Sequence, residues 1–264
     1  MLSRKYALTL CLLFSLALIV AGCSDDSDPT NPGGDTLTLT NDQAEDFSLS
    51  ALEMVNELVN TVPDFATGDF DTWSLAKSQS DTVAWDPIQR AYTFDFEGPV
   101  FEMDPPNTWV MRIGIWLQYR DEAGEALQFP IGATEMEVDY NTGMTMHMVD
   151  GESVADLDYD MATNMTVSYL GEGETYGILG TGNTFIAMSQ SGPQGSEAGQ
   201  FNMTWSLDIT ASPEGCPTGT ATVEVQDFTM TATYDGQGNA NWTLVGDNYQ
   251  ASGTEYMNCS TPMN

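Results

Sequence analysis

Two periodicities divide this chain. Between Gln43 and Val62, apolar side chains at Ala44, Phe47, Leu52, Val55, Leu58, Val59 and Val62 keep to a period near 3.6. That is the spacing of one face of an α-helix. Asp42, followed three residues later by Glu45, offers a capping box at its start, and Pro63 offers a stop. The spacing therefore predicts a helix over 43–62. Ahead of it lies a largely apolar run from Ala7 to Ala21, interrupted by Thr9 and Ser15 and short of the roughly 20 residues that a membrane-crossing helix needs.

From Arg90 onward the period is two. Tyr92, Phe94 and Phe96 alternate with Thr93, Asp95 and Glu97, and Trp109, Met111, Ile113, Ile115, Leu117 and Tyr119 fall on one side of a long strand. The same alternation marks Met136–Tyr140, Met144–Met148, Met165–Tyr169 and Phe201–Ile209. One face is apolar and the other wet, as in an antiparallel sheet with one solvated side. Asn141-Thr142-Gly143 and Asp235-Gly236-Gln237-Gly238-Asn239 carry turn chemistry and predict hairpins. The phase change between Val225 and Phe228 requires a bulge or turn at Gln226-Asp227, and Ser189 to Gly199 reads as a loop. Phe65 to Gln89 is irregular, with Trp73 and Trp85 as pins.

The fold class that follows is mostly β. An antiparallel meander of about ten to twelve strands is expected to form a closed barrel or a curled half-barrel, with the N-terminal helix packed on it. The half-barrel alternative is similar in outline to the periplasmic carriers that shuttle acylated proteins to the outer membrane, a likeness of architecture that rests on no motif. Acidic residues recur on the outward face of many strands, which argues against a transmembrane barrel.

The N-terminus adds an address. Arg4 and Lys5 precede the apolar run, which ends in Val20-Ala21-Gly22-Cys23 and turns at once to Ser24-Asp25-Asp26. These residues resemble the lipobox of bacterial lipoproteins, a likeness confined to about the first 25 positions. It implies a signal peptide over 1–22, removal of that leader, and acylation of Cys23 by diacylglycerol and palmitate-type chains. More than one chain is enough for stable anchoring. Serine after the cysteine implies the outer membrane by the sorting rule of double-membrane bacteria, with the face of that membrane undetermined. Residues 23–38, acidic and almost without apolar side chains, are expected to be a flexible tether, leaving 39–264 as a single β-rich domain.

Charge and cysteines narrow the picture. The full chain has 39 acidic and 6 basic residues, for a net charge of −33. Once Arg4 and Lys5 leave with the leader, four basic residues face the same 39 acids, giving −35. Such a surface excludes nucleic acid as a partner, because that binding depends on neutralising phosphates. It leaves divalent cations as candidate partners. With Cys11 in the leader and Cys23 acylated, Cys216 and Cys259 are the remaining pair. In an oxidising compartment they are expected to form a disulfide, closing a loop of 44 residues worth about 4 kcal/mol.

No residue pattern points to a cofactor or to catalysis. Met144, Met146 and Met148 sit on one side of a strand with His147 on the other, so they cannot share one soft metal ion. With Trp109 and Trp205 they are instead candidates to line an apolar pocket. Asp156, Asp158 and Asp160 are weak calcium candidates, since the glycine and glutamate of an EF-hand loop are missing at the required positions. His147 is the single histidine, so any Ser-His-Asp relay would depend on it. The expectation is a non-catalytic, membrane-anchored protein that binds a hydrophobic ligand or an acylated partner. The alternative is a structural or surface interaction protein of the cell envelope, and a hydrolase ranks below both.

Overall fold

The computed structural model describes residues 39–67, 83–99, 104–170, 175–193, 195–212 and 215–256. They form one helix, α1 (Asn41–Thr67), and twelve strands. The strands are β1 (Ala84–Asp86), β2 (Ala91–Pro99), β3 (Thr108–Arg120), β4 (Ala126–Leu127), β5 (Glu135–Asp150) and β6 (Ser153–Tyr169), followed by β7 (Tyr176–Gly192), β8 (Gly195–Ala211), β9 (Thr218–Val225), β10 (Phe228–Asp235), β11 (Asn239–Gly246) and β12 (Tyr249–Tyr256). All join one antiparallel meander in chain order, except that β4 pairs with the end of β3, whose main partner is then β5. Among the described residues β1 and β12 are the two edges and do not meet. The sheet is therefore a curled half-barrel with one helix on its inner face, not a closed barrel.

The strands divide the sheet into a tall half and a short one. β5 to β8 run 16 or 17 residues, whereas β9 to β12 run 8. Helix α1 packs over the join of the two halves, against β8, β9 and β10. Its stripe of Ala44, Phe47, Ala51, Leu52, Val55, Val59, Val62 and Ala66 is buried, and the Phe47 ring lies 4.7 Å from that of Phe201. Three tyrosines from separate strands reach the helix with their hydroxyls. Tyr249 (β12) bonds Glu45 Oε2 at 2.5 Å, Tyr234 (β10) bonds Asn56 Oδ1 at 2.6 Å, and Tyr169 (β6) donates to the Ala66 carbonyl at 2.8 Å. The helix thus crosses the sheet diagonally, its first turns near β12 and its last near β6.

The helix differs from expectation at both ends. Its cap is Thr40 with Gln43, two residues before the predicted Asp42–Glu45 pair. The Gln43 amide donates to Thr40 Oγ1 at 3.3 Å, and the Thr40 amide donates to Gln43 Oε1 at 2.9 Å, the reciprocal bonding of a capping box. The C-terminal end runs four residues past Pro63 to Thr67. Proline removes one intrahelical bond, but Ala66 continues the buried stripe and its carbonyl takes the Tyr169 hydroxyl.

Two predicted turns are also corrected. Asn141-Thr142-Gly143 lies inside β5, which pairs without interruption to β3 and β6. The real turn follows at Gly151, whose φ of 62° suits glycine. The signal was in the phase: Met136, Val138, Tyr140, Thr142, Met144 and Met146 keep one parity across the supposed break. The expected loop at 189–199 is strand on both sides, with Gly192 paired to Gly195. The turns at Gln226-Asp227 and at Asp235–Asn239 are as expected. In the second, Asp235 Oδ1 accepts the amides of Gln237 at 2.7 Å and Asn239 at 3.1 Å. In the region expected to be irregular, Trp85 lies in β1 with its ring 5.4 Å from Tyr92, and Trp73 lies outside the described residues.

Candidate functional site

Alternation along β3 and β5 to β8 sends one set of side chains to the helix side and the other to solvent. Met144, Trp109 and Trp205, expected to line a pocket, are buried members of the core at 5, 8 and 3 % exposure. Met146 packs against that core and Met148 is half-buried. Trp205 lies across Gly182, where a Cβ would come within 2.3 Å of the indole ring. The same inner face carries polar atoms among the apolar ones. Thr163 and Thr184 are 3 and 1 % exposed, and their hydroxyls and Trp205 Nε1 have no hydrogen-bond partner among the described residues. Tyr140, in the same row of the sheet as Thr163, has its phenol pushed up to about 12 by burial.

The outer face gathers the charged residues. His147, Asp156 and Ser189 are aligned across β5, β6 and β7. His147 Nδ1 is 2.6 Å from Asp156 Oδ1, and Ser189 Oγ donates to Asp156 Oδ2 at 3.3 Å. The serine meets the carboxylate and not the imidazole, so this trio lacks the nucleophile-to-base contact of a relay. Asp158 and Asp160 face Arg112, whose Nη2 is 3.9 and 3.0 Å from their Oδ1 atoms. No group of three or more His, Cys, Asp or Glu side chains arranged to hold a metal ion occurs among the described residues. The calcium candidates are thus paired with a histidine and an arginine in place of converging on one point.

Two open depressions lie on this outer face, and neither includes any of the five expected pocket residues. The first, of about 290 Å³, has Gly114, Gly143 and Ala162 in its floor and Arg112, Asp160, Asn141 and Asn183 around it. Register explains the arrangement. One row reads Arg112, Gly143, Asp160, Phe185, and the next reads Gly114, Asn141, Ala162, Asn183. The second depression, of about 400 Å³, adjoins the first along β6 and β7 and is bordered by Asn164, Thr181, Leu179, Asp208, Thr220 and Thr222.

No family model, no curated protein and no solved structure matches this chain. No helix among the described residues is long and apolar enough to cross a membrane. The expected leader, Cys23 and the expected tether to residue 38 lie outside the described residues, as do Cys11 and Cys259. Cys216 is disulfide-bonded.

Sequence reasoning missed the first depression. Gly114, Gly143 and Ala162 are 29 and 19 positions apart in the chain, and only strand register makes them neighbours. The single available signal was a glycine in the middle of an alternating run, which often marks a place where something approaches the backbone closely. At Gly143 that signal was read as a turn.

Proposed function

We propose that this chain is a non-catalytic, lipid-anchored protein of the cell envelope, tethered by Cys23 at the outer membrane and working through the polar face of its sheet. The observation that carries the reading is the division of labour between faces. The apolar face is taken up by α1 and by the protein's own core, while pre-positioned polar side chains surround depressions on the other face. The leader supports the anchor, and a mature charge of −35 supports a domain that stands clear of an anionic lipid surface. Metabolic labelling with palmitate and fractionation of membranes test it. Label and membrane association are expected in the wild type and absent in Cys23→Ser; label surviving that substitution would sink the anchor.

Pairing of Cys216 with Cys259 fits the topology. Thr218 faces Asp235, and Asn239 faces Tyr256, so the start of β9 and the end of β12 share one end of the sheet. Three strand spacings of about 4.8 Å separate them, within reach of the residues that follow Tyr256. Such a bond would clip the edge strand back onto the sheet. Peptide mapping without reduction should find the two cysteines in one linked fragment.

A carrier of a hydrophobic small molecule is the second reading. It is favoured by the partnerless Thr163, Thr184 and Trp205 polar atoms on the inner face, which the polar head of an apolar guest, or a buried water, would satisfy. Native mass spectrometry of protein from its own host separates the two readings: a bound apolar molecule supports the carrier, and a clean apo mass supports the surface reading.

A further inference from the structure

We infer that Thr36, Leu37 and Thr38 dock as one more strand on the upper edge of β8, which ties the anchor into the sheet through backbone hydrogen bonds. The seat stands on the geometry of that edge. Only its consequence for the anchor rests on the acylation of Cys23.

The edge is built by unequal strand lengths. β8 pairs with β7 along its whole course from Gly195 to Ala211, but β9 meets it only from Met203 to Thr210. Among the described residues, Gly195–Asn202 is therefore an edge in the middle of the sheet. Every second residue of such a stretch turns both its N–H and its C=O away from the strand already paired, a ladder ready for one more strand. The stretch carries no proline or lysine, the usual guards of an exposed edge. Its one charged residue, Glu197, lies toward the end remote from β9.

Burial points to a cover. Gly199 is buried in this edge, whereas Met188, opposite it on β7, is only half-buried. A glycine at an open edge is wetted along its free side. Its burial calls for a neighbour there, and β9 has already ended.

The occupant follows from where the chain enters. Leu39 is 7 % exposed, and its amide donates to Gln226 Oε1 at 3.0 Å. Gln226 follows Val225, the last residue of β9, which pairs with Met203. The chain before Leu39 thus arrives at the corner where β9 stops and the free edge of β8 begins. Thr36-Leu37-Thr38-Leu39-Thr40 alternates with period two, the pattern of a strand with one buried face. Leu39 is in the core, so Leu37 shares its side and would sit beside Gly199 and Phe201. Thr36 and Thr38 would join the wet row of Gln200 and Asn202, both exposed. Entering from beyond β9, the segment runs in the direction of β8 and makes a parallel pair. Its three residues cover about 10 Å, the part of the edge nearest Leu39. Pro32, Gly33 and Gly34 end the strand pattern upstream.

The consequence is mechanical. A pull on the lipid reaches β8 before it reaches α1, and the free tether shortens to residues 23–35.

The test is amide hydrogen exchange, followed by NMR on the full chain in detergent. With β7 as sole partner, only every second amide from Gly199 to Asn202 is protected; with the segment seated, consecutive amides are. Consecutive protection is expected in the wild type. Leu37→Asp, which puts a charge into the buried row, should return the stretch to the alternate pattern and lower the melting temperature. Thr38→Asn, on the wet row, should leave both unchanged. Circular dichroism verifies that each variant is folded, and the wild-type pattern needs no variant. The inference is overturned if the wild-type amides alternate. Consecutive protection that survives Leu37→Asp overturns it too, because the cover would then be another segment or a partner. The palmitate label on Cys23 is read separately, so failure here and failure of the anchor are told apart.

Discussion

Tyr169, Tyr234 and Tyr249 illustrate how single side chains fix the helix to the sheet. Each has an apolar ring on the inner face and a hydroxyl that meets a polar group of α1. A buried hydrogen bond of this kind contributes about 0.5–1.5 kcal/mol. Tyr234→Phe is expected to lower the unfolding free energy by that amount in urea titration, with an unchanged slope, because the ring still fills its place. Asp235 gives a pH-dependent case. The side-chain amide of Asn239, followed by the backbone amides of Gln237 and Asn239, holds its carboxyl below the ordinary 3.8. The stabilisation is present above the unfolded pKa of about 3.9 and is lost as pH falls through the lowered folded value. Hydrogen-exchange protection factors at Gln237 and Asn239, taken against the intrinsic rate at each pH, should therefore fall only in that acid range, and Asp235→Ala should show the lower protection at every pH.

Elements were legible in the sequence wherever one period ran undisturbed. The strands β2, β3 and β8, the Asp235–Asn239 hairpin and the amphipathic stripe of α1 all declare themselves this way. Composition misled where it was weighed above phase. Asn141-Thr142-Gly143 has the residues of a turn, yet its neighbours keep parity across it, and the glycine is there for a close approach by Arg112 and Asp160. Pro63 has the chemistry of a stop, yet the buried stripe continues to Ala66, because packing against the sheet outweighs one lost intrahelical bond. The candidate depression was not legible, since it depends on register among four strands. Packing of α1 is open to direct measurement: Phe47→Ala removes a ring that is 4 % exposed and packed at a tilt against Phe201. Its cost should be about 3–5 kcal/mol, read as a lower urea midpoint, with loss of helix signal before loss of strand signal.

For the whole molecule, charge and topology act together. A chain with 39 acids and 6 bases repels itself in the compact state, and only four ion pairs involving described Arg residues offset this. Raising NaCl from low to molar concentration should raise the melting temperature by several degrees as the repulsion is screened, which scanning calorimetry would register. A melting temperature indifferent to salt would mean that the acids are spaced too widely to matter. The open sheet order also explains why the fold class was readable when the exact closure was not. Alternation specifies a two-faced sheet, but nothing in a strand's own residues says whether the first and last strands meet.

The diagonal course of α1 has a consequence in time. The meander joins neighbours, so its hairpins can form as the chain emerges, each from residues close in sequence. The helix comes first in the chain but finds its partners last: Leu39 bonds Gln226 and Glu45 bonds Tyr249, 187 and 204 positions away. Until β8 to β12 exist, most of the stripe from Ala44 to Ala66 has no sheet to cover it. The chain therefore has a built-in waiting period, in which an oily helix precedes its seat and any helper that shields it must let go only when the final hairpin arrives.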